Sequence, residues 1–262
     1  MDASERMRGP MLIGILEAGR NRDRLRDKHG SYPEMFERLL SRADPSLRFK
    51  VYTVLDDVFP NSVEECDAWL VTGSRYTAFD RLPWMLRLEA FLRDVMERGG
   101  PIVGICFGHQ ILAQAMGGEV RRANEGWGLG VHRYMLESRP DWMGDAPDHF
   151  ALSAVHQDQV TRIPEGASVV ASSTFCPAGV LVYGDKALTI QAHPEFPKDY
   201  VADLVEELAG DGIDGRTIDD ARDRLASLST DSGMIADQIV AFLRKASRSA
   251  DEAPVPASAG SA

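Results

Sequence analysis

From residue 11 onward, apolar and polar positions repeat with two alternating periods. "MLIGILEAG" (11–19) is a short apolar run closed by glycine, "YPEMFERLLSRA" (32–43) spaces its apolar residues as a helix does, and "RFKVYTVLD" (48–56) is rich in β-branched and aromatic residues. The pattern predicts β-α-β. "CDAWLVTGS" (66–74) then reads as a strand entering a turn, "PWMLRLEAFLRDVMERG" (83–99) as an amphipathic helix with proline near its start and glycine at its end, and "PIVGIC" (101–106) as a further strand. Alternation of this kind predicts an α/β fold: a mostly parallel central sheet flanked by helices on both faces, with its active site beyond the carboxyl ends of the strands.

From about Gly126 the texture changes to short strand-like pieces, "GLGVHRYML", "HFALSAVH", "SVVASSTF", "GVLVYG" and "ALTIQAH", separated by Pro, Gly and Asp. These predict hairpins added to one side of the sheet. After Pro197, "DYVADLVEELAGDG" and "DSGMIADQIVAFLRKA" return to i, i+3, i+4 spacing, whereas "SRSADEAPVPASAGSA" (247–262) has almost nothing to bury and reads as a disordered tail. The expected organisation is an N-terminal lead (1–10), a single domain (11–246) with a helical extension from about 199, and the tail. No internal repeat is visible.

Composition narrows the setting. The chain has 262 residues, 44% hydrophobic, with three cysteines and no apolar run of bilayer length, which points to a soluble, reduced, cytoplasmic protein. "MDASERMRGPMLIGILEAG" lacks the basic leader and small-residue cleavage site of a signal peptide. A formal net charge of −11 argues against a nucleic-acid partner.

"PIVGICFGHQILAQAMGGEV" (101–120) raises the question of chemistry. A free cysteine is commonly a compact buried hydrophobe, and alone Cys106 would be read that way. Its context is different: Gly104-Ile105-Cys106-Phe107-Gly108 has the G-x-nucleophile-x-G form of a strand-to-helix elbow, whose glycines permit close backbone approach while the central side chain projects from a strained turn. A cysteine there sits at a helix N-terminus, where the dipole favours the thiolate. The backbone N–H of Phe107 can serve an oxyanion, and the Gly73-Ser74 turn at the end of a neighbouring strand can supply a second donor. A base is also needed. In "TIQAHPEF" (189–196), His193 follows a strand and Glu195 lies two positions on, with Pro194 holding the chain extended. In a Cys-His-carboxylate arrangement the imidazole takes the thiol proton and the carboxylate orients and stabilises it. As a lone tripeptide, His-Pro-Glu would read as a satisfied histidine and a solvated charge; beside the elbow it reads as chemistry.

Together, "GICFGHQILAQAMGG" and "QAHPEF" resemble the class I glutamine amidotransferase family, of the kind found in the glutaminase domain of GMP synthase and in γ-glutamyl peptidases. The resemblance spans roughly residues 11 to 200 and takes in "HGSYPEMFERLL", "LVTGSRYTAFDRLPWM" and "VHQDQV". It implies a flavodoxin-like domain with added hairpins, Cys106 as nucleophile, His193 as base and Glu195 as orienting acid. It also implies an oxyanion hole from Phe107 with Gly73 and Ser74, Gln110 against the amino-acid end of the substrate, and Val155, His156 and Gln157 at its α-carboxylate. Where many members show a Gly-Gly-Pro turn, this chain has Gly73-Ser74-Arg75, which adds a charge at the pocket rim. His109 reads as a helix residue packed near the site, and Glu17, at the end of the first strand, as a carboxylate facing either pocket or solvent. His156 and Asp158 lie too far in sequence from His193 and Glu195 to suggest a metal site, Cys66 and Cys176 lack a C-x-x-C partner, and the four tryptophans read as core or pocket wall.

The expected activity is hydrolysis of the side-chain amide of glutamine or another γ-glutamyl amide through a γ-glutamyl thioester, with no cofactor and no metal. Three settings follow: a glutaminase-type subunit feeding a separate synthase, a self-sufficient γ-glutamyl peptidase or hydrolase, and a non-catalytic binding relative. The complete Cys-His-Glu set tells against the third. No second domain that could bind ATP and an acceptor is legible, which leaves the first two close.

Overall fold

A computed structural model describes residues 9–98 and 100–251; residues 1–8 of the lead and 252–262 of the tail lie outside the described residues. The chain runs β1 (Leu12–Leu16), α1 (Asp23–His29), α2 (Tyr32–Ala43), β2 (Arg48–Tyr52), β3 (Ala68–Val71), α3 (Pro83–Arg98), β4 (Ile102–Ile105), α4 (Phe107–Ala115), β5 (Glu119–Arg122), β6 (Gly128–Leu136), β7 (His149–His156), β8 (Asp158–Arg162), β9 (Ser168–Ser172), β10 (Val180–Tyr183), β11 (Ala187–Ile190), α5 (Lys198–Gly210), α6 (Gly215–Ser227) and α7 (Ser232–Asp251).

β3 (AWLV) and β4 (IVGI) are buried along their whole length. Continuous apolar runs of this kind suit central parallel strands covered on both faces. The nine-stranded sheet has the order β2-β1-β3-β4-β11-β10-β9-β6-β7. Its first five strands are parallel and its remaining pairings antiparallel, while β5 and β8 make a separate antiparallel pair. Side chains alternate across the sheet with period two. Ile13, Ile15, Leu70, Val103 and Ile105 face a core that also takes Phe36 and Leu40 of α2 and Ile239 and Leu243 of α7. Leu16, Trp69, Val71 and Ile102 face the opposite core with Leu88 and Leu92 of α3 and Ile111 and Leu112 of α4.

Local signals fix the helix ends. Ser31 and Glu34 form a reciprocal capping box at the start of α2, and Asp214 accepts from the N–H groups of Arg216 and Thr217 at the start of α6. Each cap contributes on the order of 1 kcal/mol.

Four points depart from the sequence reading. Helix α1 buries only Leu25, too little to show as a period. Helix α6 buries Ile218, Ala221 and Leu225 among so many charges that its apolar stripe is narrow. β11 is not merely an outer hairpin strand: it pairs antiparallel with β10 and parallel with β4, and so enters the parallel half of the sheet. Helix α7 continues to Asp251, past the boundary drawn at 246.

Candidate active site

The strand order places the chain segments leaving β3, β4 and β11 side by side. Cys106 is the first residue after β4, at φ 53° and ψ −101°, a positive φ that a side-chain-bearing residue rarely adopts. Such a conformation costs about 1–3 kcal/mol and persists only where its surroundings enforce it. Here the Cys106 N–H donates to the Ile190 carbonyl at 2.8 Å and the Cys106 carbonyl accepts from the Gln110 N–H at 3.1 Å. The flanking glycines are required by packing. A Cβ at Gly108 would lie 2.4 Å from the Val71 carbonyl oxygen, and one at Gly104 would lie 2.6 Å from the carbonyl oxygen of Gly108.

His193 extends from β11, its N–H donating to the Ser153 carbonyl of β7 at 2.8 Å. Its Nδ1 stands 2.8 Å from Oε1 of Glu195, with both side chains buried. The Phe196 ring stacks on the imidazole, its plane 5° from parallel and the centroids 3.9 Å apart. Burial works against charge on His193. The Glu195 carboxylate and then Cys106 outweigh it and raise the group to about 10. Imidazolium is therefore the favoured form at neutral pH. Gly73 completes the convergence: a Cβ there would stand 2.9 Å from His193 Cε1 and 3.7 Å from Cys106 Cβ.

Cys106, His193, Ser74, Gln110, Val155, His156 and Gln157 line one cavity of about 690 Å³, with Arg75 also in its wall. The Phe107 ring turns into the core, 5.7 Å from that of Trp84, and its N–H, at the first position of α4, has no acceptor within the helix. Gln110 donates its amide to the Asp158 carbonyl at 2.9 Å and to Gln191 Oε1 at 3.2 Å. Its N–H groups thus tie α4 to its neighbours instead of facing the cavity. His156 is pushed down to about 3 by burial, so it is neutral, with Nδ1 3.2 Å from the Asp158 carbonyl.

His109 and Glu17 fall outside the cavity lining. His109 is fully buried with Nδ1 2.8 Å from Thr189 Oγ1, and burial lowers it to about 3. Burial raises Glu17, opposed chiefly by the charge of Arg20. Cys66 and Cys176 are buried and free, and burial pushes the Cys176 thiol up to about 12. Among the described residues, no group of three or more His, Cys, Asp or Glu side chains is placed to hold a metal ion.

Sequence reasoning missed one wall of the cavity. Leu204 and Leu208 of α5, Ile213 in the following turn and Thr217 of α6 all line it. Arg22 pins that turn by pairing with Asp211 and, at 3.4 Å, with Glu207. Asp214 and Thr217, the capping pair of α6, were the available local signal. The Phe196 stack was also missed, although Phe196 directly follows Glu195.

The sharp turn at Cys106 thus lies beyond the carboxyl ends of parallel strands in an α/β fold, with the buried His193–Glu195 pair lining the same region. This chain belongs to the glutamine amidotransferase class-I family, whose model matches residues 58–199. Among similar proteins, gamma-glutamyl peptidase 3 of Arabidopsis thaliana is 30% identical over 169 residues, 62% of this chain and 68% of the relative. A glutamine-hydrolyzing GMP synthase of Lactobacillus delbrueckii subsp. bulgaricus is 33% identical over 144 residues, 53% of this chain but only 27% of that protein. The crystal structure of a glutamine amidotransferase from Methylobacillus flagellatus superposes with a TM-score of 0.67 at 24% identity, covering 90% of this chain and 94% of the other. Among the described residues, no helix is long and apolar enough to cross a membrane.

Proposed function

We propose that the protein hydrolyses the side-chain amide of glutamine or of another γ-glutamyl amide through a thioester on Cys106. The observation that carries this reading is the strained elbow that sets Cys106 against a buried His193–Glu195 pair. Sγ attacks the γ-carbonyl carbon, and the oxyanion is received by the N–H of Phe107 and the backbone at Gly73-Ser74. As the C–N bond breaks, the imidazolium of His193 gives its proton to the departing nitrogen. The neutral imidazole then takes a proton from water, whose oxygen forms the new bond to the γ-carbon. The S–C bond breaks, glutamate leaves, and the thiolate–imidazolium pair is restored. Glu195 holds the ring in register throughout. These steps call for no cofactor. Residues 11–246 act as one catalytic unit, with Val155, His156 and Gln157 beside the substrate's α-carboxylate and Gln110 behind its amino-acid end. The free Cys66, Cys106 and Cys176 support a reducing, cytoplasmic setting.

A glutamine-analogue electrophile followed by intact-protein mass spectrometry tests the nucleophile. One adduct on Cys106, lost in Cys106→Ala, is expected; an adduct on Cys66 or Cys176 overturns the reading.

Action without a synthase partner is supported by the α5–α6 turn, which this chain itself supplies as a wall of the cavity, and by the likeness to a γ-glutamyl peptidase. The likeness to a GMP synthase supports the alternative, a subunit feeding ammonia to a separate synthase. Turnover by the purified chain decides between them: robust hydrolysis alone excludes the subunit reading, and activity that requires a co-purifying synthase excludes autonomy.

A further inference from the structure

The cavity around Cys106 is lined by residues of mixed chemistry. Gln110, His156, Gln157 and Asp158 are polar, Leu25, Trp127, Leu204, Leu208 and Ile213 are apolar, and Arg22, Asp211 and Asp214 place charges among the latter. The apolar residues continue the cluster that seats α5 and α6 on the sheet, where Leu25, Leu204 and Leu208 are buried but Trp127 and Ile213 are only partly so. Trp127 and Ile213 therefore leave part of the cluster accessible in the cavity that Cys106 also lines. The volume of about 690 Å³ falls in the range of roughly 300–1,000 Å³ that holds a drug-sized ligand, well beyond what glutamine fills. Ammonia, the leaving group of glutamine, has nothing to place on an apolar wall.

We propose that the wall formed by Leu25, Trp127, Leu204, Leu208 and Ile213 is a leaving-group subsite, and that the preferred substrates are γ-glutamyl amides of bulky apolar amines. This rests on the thioester reading above. When Sγ bonds to the γ-carbon and the C–N bond breaks, the proton of His193 passes to the amine nitrogen, which departs carrying its apolar substituent. That substituent extends from the scissile bond away from the glutamyl half, into the space the C-terminal helices enclose. Arg22 pairs with Asp211 and Glu207, tying the turn that carries Ile213 to the start of α1.

The test is kcat/KM of the purified full chain on glutamine, γ-glutamyl-methylamide, γ-glutamyl-3-methylbutylamide, γ-glutamyl-phenethylamide and γ-glutamyl-leucine. Bulky amides are expected to exceed glutamine by about tenfold or more, since even one methylene in an apolar pocket is worth roughly 10-fold or more in discrimination. Ile213→Ser and Trp127→Ala should each lower the ratio of 3-methylbutylamide to methylamide turnover by about fivefold, on the same scale. Unchanged thermal melts would exclude misfolding as the cause. The leucine arm separates sources: parity with the 3-methylbutylamide assigns recognition to the apolar group alone, and an advantage adds a contact to the carboxylate of a peptide. Glutamine turned over as well as the bulky amides, or selectivity ratios unmoved in both variants, overturns the subsite while leaving the thioester reading intact. Labelling of Cys106 without turnover of any bulky amide overturns it too. Absence of both turnover and Cys106 labelling instead overturns the thioester reading itself.

Discussion

Replacing Gly73 by alanine adds one methyl group where the site has no room for it. The new carbon would lie 2.9 Å from His193 Cε1 and 3.7 Å from Cys106 Cβ, whereas carbon atoms rest about 3.5–4.0 Å apart. The imidazole would have to retreat by roughly 0.6–1 Å. It is held against retreat on three sides: by Glu195 at 2.8 Å, by the parallel Phe196 ring at 3.9 Å and by its own N–H on Ser153 at 2.8 Å. A displacement near 1 Å costs on the order of 10²-fold in rate, and overpacking of this kind about 1–3 kcal/mol in stability. Gly73→Ala is therefore expected to lose about 30- to 100-fold in kcat, with a melting temperature lower by roughly 2–12 °C at about 2–4 °C per kcal/mol. The assay is steady-state hydrolysis of a γ-glutamyl amide alongside a thermal melt. Gly233→Ala is the control, because nothing lies within 4 Å of a Cβ there and alanine in a helix contributes about 0.5–1 kcal/mol over glycine. A Gly73→Ala variant with parental kcat and parental stability would refute the reasoning, since it would mean that neither the backbone at residue 73 nor the imidazole needs its present position.

Cys106→Ala is expected to lower turnover by about 10⁴-fold or more while the melting temperature stays near that of the parent, because the loss is a bond-forming atom and not a packing volume. Glu195→Gln should impair turnover less than Cys106→Ala and shift the alkaline limb of the pH–rate profile to lower pH. His193 is raised to about 10 with Glu195 as one of its causes, so the imidazolium, present below that value, is lost at lower pH once the carboxylate is gone. The same pair makes a stability contribution that is full below the unfolded histidine value of about 6.5 and declines as pH rises through about 10. Urea melts should therefore show the gap between parent and Glu195→Gln narrowing across that window. Arg244→Met should cost roughly 3 kcal/mol in chemical denaturation. It removes charge-assisted bonds to Asp44 at 2.7 Å, with the Ser46 hydroxyl and Gly9 carbonyl losing their donor, and leaves turnover unaffected.

What the sequence discloses depends on how locally each feature is encoded. β3 and β4 were legible because both of their faces are buried, leaving no polar residue to blur the run. The elbow was legible because its two glycines are needed within two residues of Cys106 on either side, and His193 with Glu195 because Pro194 alone separates them. The C-terminal wall was not legible: Arg22 meets Asp211 across 189 residues, and no pattern near either residue announces the other. Phe196 could be read only as an apolar residue, since its use depends on the imidazole lying flat against it. Only the family resemblance puts Gln110 against the amino-acid end of a substrate. The competing acceptors, Asp158 and Gln191, come from distant segments, and they take its N–H groups.

The position of β11 explains how a site can be assembled from segments so far apart. Were it only an outer hairpin strand, His193 would stand several strand spacings of about 4.8 Å each from Cys106, beyond any hydrogen bond. By pairing parallel with β4, β11 delivers His193 one strand away from Cys106, on the side opposite the Gly73 turn that leaves β3. The antiparallel strands then contribute through curvature. β7 is the last strand in the order, yet its Ser153 bridges to His193, so the far edge of the sheet folds back over the segment that follows β11. That return is what brings Val155, His156 and Gln157, at the end of β7, into the same cavity as Cys106. The parallel half of the sheet thus sets Cys106 and His193 side by side, and the antiparallel half, with α5 and α6 packed over it, encloses the cavity they line.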